Sequence, residues 1–204
     1  IREILDYNKR MLQDEGILPE TFDTRIPMNF EWPLRAADHY DNYDYWSISA
    51  HVDHNPNIGQ LMDYNCGGRT YDIPGYNHLG TDIFTIPYPW RMMDNMEVEI
   101  VAAAPGVILY KSDGNYDTNC GEGGTNWNSV YIQHNDGSEA WYGHMKRLSP
   151  TPKSVGESVE TGEYLGVVGS SGFSSGPHLH FELWDYISVN NYVLIDPFEG
   201  ECNS

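Results

Sequence analysis

At 204 residues the chain is long enough for one domain with a full hydrophobic core. Its 11 basic against 30 acidic residues give a formal net charge of −19, which repels nucleic acid and anionic membrane surfaces and sets both aside as partners. A content of 20 Gly, 12 Pro, 15 Tyr and 6 Trp favours a turn-rich, aromatic β protein over a helical bundle.

Residues 2–14, REILDYNKRMLQD, place Ile4, Leu5, Met11 and Leu12 near one stripe between charged residues, which predicts a short helix. Pro19, Pro27 and Pro33 then interrupt any regular pattern, and Tyr40 to Trp46 is dense in Tyr and Asp, so an extended arm across the core is expected. The organisation read from this is a helix and arm over 1–76 and a compact core over 77–204. No run of about 18 apolar residues exists, so no segment spans a bilayer as a helix. Ile1 is preceded by no Met and no charged-then-apolar leader, which reads as a processed or trimmed chain.

From Asn77 the pattern changes to short apolar runs between turn signals: TDIF, EIVAA, GVILYK, SVYIQH, AWYGHM, YLGVVG and HLHFELW. Their spacing of about ten residues, with HNDGS at 134–138 as a hairpin turn, predicts a mainly antiparallel sheet folded on itself. The polar stretch 112–124 is a long loop; Asp113, Asn115 and Asp117 alternate as calcium ligands do, but the glycine and closing glutamate of an EF-hand are misplaced, and turn chemistry is the reading adopted. The Gly/Ser run 169–176 lacks the Lys-Ser/Thr ending of a phosphate loop and is expected to form a tight turn with its amides near a cleft.

Cys66, Cys120 and Cys202 are too few and too far apart for a zinc-ribbon pattern. Cys66 and Cys120 both lie in Gly/Asn/Asp-rich loops, and a disulfide between them in an exported protein is expected, with Cys202 unpaired or partnered elsewhere; three reduced thiols are the alternative.

Three fragments carry chemistry. In Pro177-His178-Leu179-His180-Phe181-Glu182-Leu183 the period of two puts both imidazoles on one strand face, where one can hold a cation while the other addresses what that cation binds. Glu182 shares that face by parity and is placed to orient a ligand imidazole. In His78-Leu79-Gly80-Thr81-Asp82 the two ligand types stand about 13 Å apart if extended, so sharing one ion requires the chain to bend, and Gly80 allows it. In Trp141-Tyr142-Gly143-His144 a histidine ends an aromatic strand, and Tyr142 shares its side, placed to donate to a substrate or to pack in the core. His134 is assigned to its hairpin turn. The HVDH run at 51–54 offers a second set of ligands, with exposed loop histidines as the commoner reading.

HLGTD at 78–82, VAAAPGVI at 101–108, YGHM at 142–145 and GSSGFSSGPHLHFEL at 169–183 stand in the order and spacing of a known family. Over about Asn77 to Pro197 the chain resembles the lysostaphin and LytM type of zinc metallopeptidases, many of which cut peptidoglycan cross-bridges. The resemblance implies a LytM-like split barrel or sandwich and one zinc ion per chain bound by His78, Asp82 and His180. It assigns catalysis to His144 and His178. It also implies a secreted or extracytoplasmic monomer acting on peptidoglycan cross-bridges or glycine-rich peptides, with a secreted protease acting on extracellular matrix proteins or a non-catalytic wall-binding adaptor of the same fold as alternatives. Residues 1–76, the Cys120 loop and the strong acidity have no counterpart in that resemblance.

Overall fold

The structure, a computed structural model, describes residues 1–203 except 24–27, 74–75, 122–123, 125 and 189–190. Pro27 and part of the 112–124 loop lie outside the described residues. In chain order the elements are α1 (Arg2–Asp14), β1 (Leu34–Ala36), β2 (Trp46–Ala50), β3 (Asp72–Ile73), β4 (Tyr76–Asn77), β5 (Thr81–Thr85), α2 (Pro89–Asp94), β6 (Val98–Val101), β7 (Gly106–Ser112), β8 (Ser129–Gln133), β9 (Glu139–Gly143), β10 (Ser158–Val159), β11 (Tyr164–Val167), β12 (His178–Ser188) and β13 (Asn191–Ile195). The fold is mainly β with antiparallel strand pairing and a short N-terminal helix, as the sequence pattern predicts. Helix α2 escapes the pattern because six residues are too few to show a helical period; Pro89 starts it and Met92 and Met93 anchor it.

The large sheet runs β10-β7-β8-β9-β12-β5-β2, and a small sheet runs β1-β6-β11. Strand β12 is eleven residues long: its first half pairs with β5 and its second half with β13, while β9 lies along its other edge. Leu34, Ile100 and Leu165 of the small sheet meet Ile108, Ile132, Tyr142 and Leu179 of the large one in the main core. The alternate residues Val107, Leu109, Tyr131 and Trp141 face the other way and are covered by Leu5 and Leu12 of α1. Both faces of the sheet are thus buried, which is why its strands read as continuous apolar runs.

The helix presents a different stripe from the one its apolar residues suggest. Leu5, Lys9 and Leu12 are its buried residues, and Ile4 is exposed. Lys9 lays its stem in the interface and carries Nζ to Glu139 Oε1 at 2.9 Å; Arg2 reaches Glu139 Oε2 at 2.8 Å, and Trp141 Nε1–H donates to the same oxygen at 3.0 Å. A fully buried carboxylate is thereby matched by two cations and an indole.

Two sequence expectations are corrected. The disulfide joins Cys66 to Cys202, and Cys120 is free and exposed. The reason is that the C-terminal tail folds back on the arm: Cys202 N–H donates to the Tyr64 carbonyl at 2.8 Å and Phe198 packs on Tyr64 and His51. Tyr142 is no substrate ligand. It is fully buried between the sheets against Phe181, and its hydroxyl accepts the Ala103 N–H at 2.8 Å.

Candidate metal centre

The strand register assembles the centre. On β12 His180 lies directly opposite Asp82 of β5 on one side and Gly143 of β9 on the other, so three distant segments meet at one point of the sheet. His78 arrives from the turn after β4, which brings its Nε2 to 3.1 Å from Asp82 Oδ1. Gly80 makes the bend its position predicts and also leaves room: a Cβ there would sit 2.7 Å from His180 Nε2 and 2.8 Å from the Phe181 carbonyl oxygen. His144 follows Gly143 with φ of +57°, a left-handed turn that ends β9.

His78 Nε2, Asp82 Oδ1 and His180 Nδ1 face one another at 3.1, 3.3 and 2.7 Å. Tetrahedral zinc with bonds of about 2.0–2.1 Å holds its ligand atoms roughly 3.3 Å apart, so the three atoms fit one such ion after a small outward relaxation. The other nitrogen of each ring is committed. His78 Nδ1–H donates to the His51 carbonyl at 2.7 Å, and His180 Nε2–H donates to Glu182 Oε1 at 3.0 Å, so in its neutral form each ring would turn its remaining lone pair inward. Glu182 is buried and also accepts Trp184 Nε1–H at 2.8 Å.

In the metal-free state the charges settle accordingly. Burial opposes the charged form of His180, but its bonds to Asp82 and Glu182 push its pKa up to about 10. Burial alone would raise Asp82; the imidazoles of His178 and His78 and the bond from His180 hold it well below the carboxylate range instead. This proton stands in the place a divalent cation would take.

His144 and His178 form a second layer, with ring centroids 4.4 Å apart. His144 Nδ1–H donates to the Ser171 carbonyl at 2.6 Å and His178 Nδ1–H to the Gly176 carbonyl at 2.8 Å. The Gly/Ser run therefore offers carbonyls to these rings, where amides near a cleft were expected. Each ring keeps an unprotonated Nε2, that of His178 lying 3.6 Å from Asp82 Oδ1. Burial first, and the neighbouring histidines next, hold His144 well below the usual imidazole value; burial lowers His178 as well. Both are neutral proton acceptors at neutral pH.

Two residues of the centre give no signal in the sequence. Tyr71, from the arm, stacks on His78 with centroids 4.2 Å apart and donates its hydroxyl to Asp82 Oδ2 at 3.1 Å; burial and the Asp82 charge raise its pKa far above the phenol range. Trp127 lies edge-on to His144 over Gly143, where a Cβ would come within 2.4 Å of its ring. A groove of about 630 Å³ opens beside Asp82 and His178, walled by Tyr71, Ile73, Phe84 and Phe173. The 112–124 loop contributes turn chemistry: Asp113 and Asp117 cap the backbone N–H groups of Leu148 and Arg147. Among the described residues no helix is long and apolar enough to cross a membrane.

Residues 78–197 match the profile of Peptidase family M23. The glycyl-glycine endopeptidase ALE-1 of Staphylococcus capitis is 32% identical over 135 residues, covering 66% of this chain and 32% of that protein. The DD-carboxypeptidase/endopeptidase Mpg of Neisseria meningitidis serogroup B is 33% identical over 110 residues, covering 51% and 23% respectively. The chain thus spans a third or less of these relatives' length. Among solved structures, one in the SpoIIQ-SpoIIIAH pore forming complex superposes with a TM-score of 0.51 at 16% identity, covering 83% of this chain and 89% of that one, a likeness of fold.

Proposed function

The chain belongs to peptidase family M23, and on that premise we propose that it is a zinc metalloendopeptidase that hydrolyses peptide bonds of peptidoglycan cross-bridges or of glycine-rich peptides. The observation that carries this reading is the convergence of His78 Nε2, Asp82 Oδ1 and His180 Nδ1 with each imidazole's second nitrogen tied to a backbone carbonyl or carboxylate. Three protein ligands leave a fourth position open, as catalytic zinc sites do and closed structural sites do not. Zinc bound there supplies a Lewis acid that polarises a peptide carbonyl and makes water acidic near neutral pH.

The remaining chemistry belongs to side chains. His144 and His178, neutral and with Nε2 free, take the proton released when water attacks, and the imidazolium so formed steadies negative charge on the scissile carbonyl or returns the proton to the leaving amine. His178 lines the groove and so lies nearest to bound peptide. Glu182 and the His51 carbonyl fix the rotation of the ligand rings. In this reading residues 77–204 are the catalytic unit, residues 1–76 brace it and lend Tyr71, and the Cys66–Cys202 bridge suits an extracytoplasmic protein.

The test is digestion of a defined muropeptide set and of oligoglycine peptides by the zinc-loaded chain, with products identified by mass spectrometry. Cleavage within a cross-bridge or between glycines is expected. Zinc-loaded protein inert on both substrate classes sinks the proposal.

A further inference from the structure

An all-oxygen cluster lies beside the metal centre, in the arm, and the peptidase chemistry does not use it. Asp53 is 5% exposed. Its Oδ1 accepts the backbone N–H of Asn55 and of Met62, each at 3.0 Å. Asp72, in β3, accepts the Gly59 N–H on Oδ2. The other oxygen of each carboxylate, Asp53 Oδ2 and Asp72 Oδ1, is sealed from solvent and has no hydrogen-bond partner among the described residues. The two carboxyl groups act on each other: burial first, and the neighbouring Asp72 carboxyl with it, push the pKa of Asp53 up. Asn77 stands opposite Asp72 in the β3–β4 pairing; its Nδ2–H is given to the Asn55 carbonyl, and its Oδ1 is also buried without a partner.

Folded proteins leave few buried acceptors unmatched, and two carboxylates in contact away from water repel strongly. Two remedies exist: a proton shared between the acids, or a cation. A shared proton satisfies Asp53 and Asp72 and leaves Asn77 Oδ1 orphaned, whereas a cation bound to the two carboxylates also offers a partner to Asn77, whose side chain stands on the same face as that of Asp72 across the β3–β4 pair, with Cβ atoms about 4.5–5.5 Å apart. The donors are oxygen alone, from two carboxylates and one amide, with no nitrogen or sulfur to favour zinc. Calcium accepts such a set at about 2.3–2.6 Å in irregular geometry and fills its shell with carbonyls and water; magnesium demands a tighter octahedron.

We propose that Asp53, Asp72 and Asn77 form a calcium site that ties the 53–62 segment to the β3–β4 hairpin. The consequence reaches the metal centre through the backbone. Asp53 N–H donates to the His78 carbonyl at 2.8 Å, and His78 follows Asn77 directly. Tyr71 precedes Asp72 in the same way. Calcium there braces the residues on either side of the hairpin that carry Tyr71 and His78. The proposal stands on these oxygens alone and does not depend on the peptidase reading.

The experiment uses the full chain, stripped of divalent ions and reloaded with one equivalent of zinc, then titrated with calcium chloride in a calorimeter and followed by thermal melting. One saturable calcium site per chain is expected, with the unfolding equilibrium constant falling about 100-fold when calcium stands at 100 times its Kd. Asp53→Asn and Asp72→Asn should each abolish the calcium heat. Without calcium Asp53→Asn should melt no lower than the wild type, because its amide keeps the two backbone bonds and removes the repulsion; with excess calcium the wild type should overtake it. Absence of calcium uptake, or equal uptake by both variants, overturns the proposal. So does a variant more stable than wild type by the same margin with and without calcium, which marks a proton-sharing pair. Asp72→Asn supplies the same comparison should Asp53→Asn fail to fold.

Discussion

Replacing Gly80 by Ala adds one methyl group, 2.7 Å from His180 Nε2, 2.8 Å from His180 Cε1 and 2.8 Å from the Phe181 carbonyl oxygen. Ordinary carbon contacts begin near 3.5 Å, so something must retreat by roughly 0.7 Å. The Phe181 carbonyl belongs to the β5–β12 ladder, which leaves the His180 ring to move. That ring is held at 2.7 Å by Asp82 and at 3.0 Å by Glu182, and a shift of this size exceeds the ~0.2 Å tolerance of a metal bond. The φ of Gly80 is outside the left-handed region, so the backbone adds no strain of its own. Overpacking costs about 1–3 kcal/mol, against a loss of metal affinity of about 10–100-fold or more, the effect of disturbing a ligand's support. Competition with a chromophoric chelator measures the affinity and circular dichroism the fold. A Gly80→Ala chain that stays folded and binds zinc as tightly as the wild type would refute the argument.

Other outcomes follow from the same geometry. The raised pKa of His180, about 10 without metal, means zinc must displace a proton: loading at pH 7.5 should release about one proton, read by calorimetry in buffers of different ionisation enthalpy, and apparent affinity should rise about tenfold per pH unit toward that value. The sign for stability is the reverse, since a raised histidine pKa stabilises the metal-free fold below about 6.5 and that contribution fades as pH climbs through about 10. His144→Ala and His178→Ala should each retain one zinc yet lower kcat about 10²–10⁴-fold, and metal loss in either variant would contradict their placement behind the ligands. Cys66→Ser opens a link between residues 136 apart in sequence, for which chain entropy gives at most roughly 5 kcal/mol; melting of the variant should drop markedly, while Cys120→Ser should melt as the wild type does.

What could be read in advance divides along a physical line. Strands and the HxH pair are written in local periods: alternation placed His178 and His180 on one face, and the runs from TDIF to HLHFELW mark strands of the two sheets. Residues brought in by long-range return of the chain left no such mark. Cys202 pairs with Cys66 because the tail packs on Tyr64 and His51, a contact no spacing encodes, and the loop composition that suggested Cys120 reports only turn propensity. Parity placed Tyr142 on the side of His144 but could not tell a core face from a cleft face. Tyr71 lies in the arm, seven residues ahead of His78 but in no motif, and Gly80 was legible as the bend it makes but not as the missing Cβ that the site also needs.

The most direct measurement is a zinc titration of the metal-stripped chain, following cleavage of a cross-linked muropeptide by mass spectrometry alongside metal content. The account predicts no activity without metal, a linear rise to one equivalent and a plateau beyond it, with His180→Ala neither retaining zinc nor cleaving. Cleavage that survives stripping, or a His180→Ala chain that binds zinc and cleaves like the wild type, would contradict the centre built from His78, Asp82 and His180.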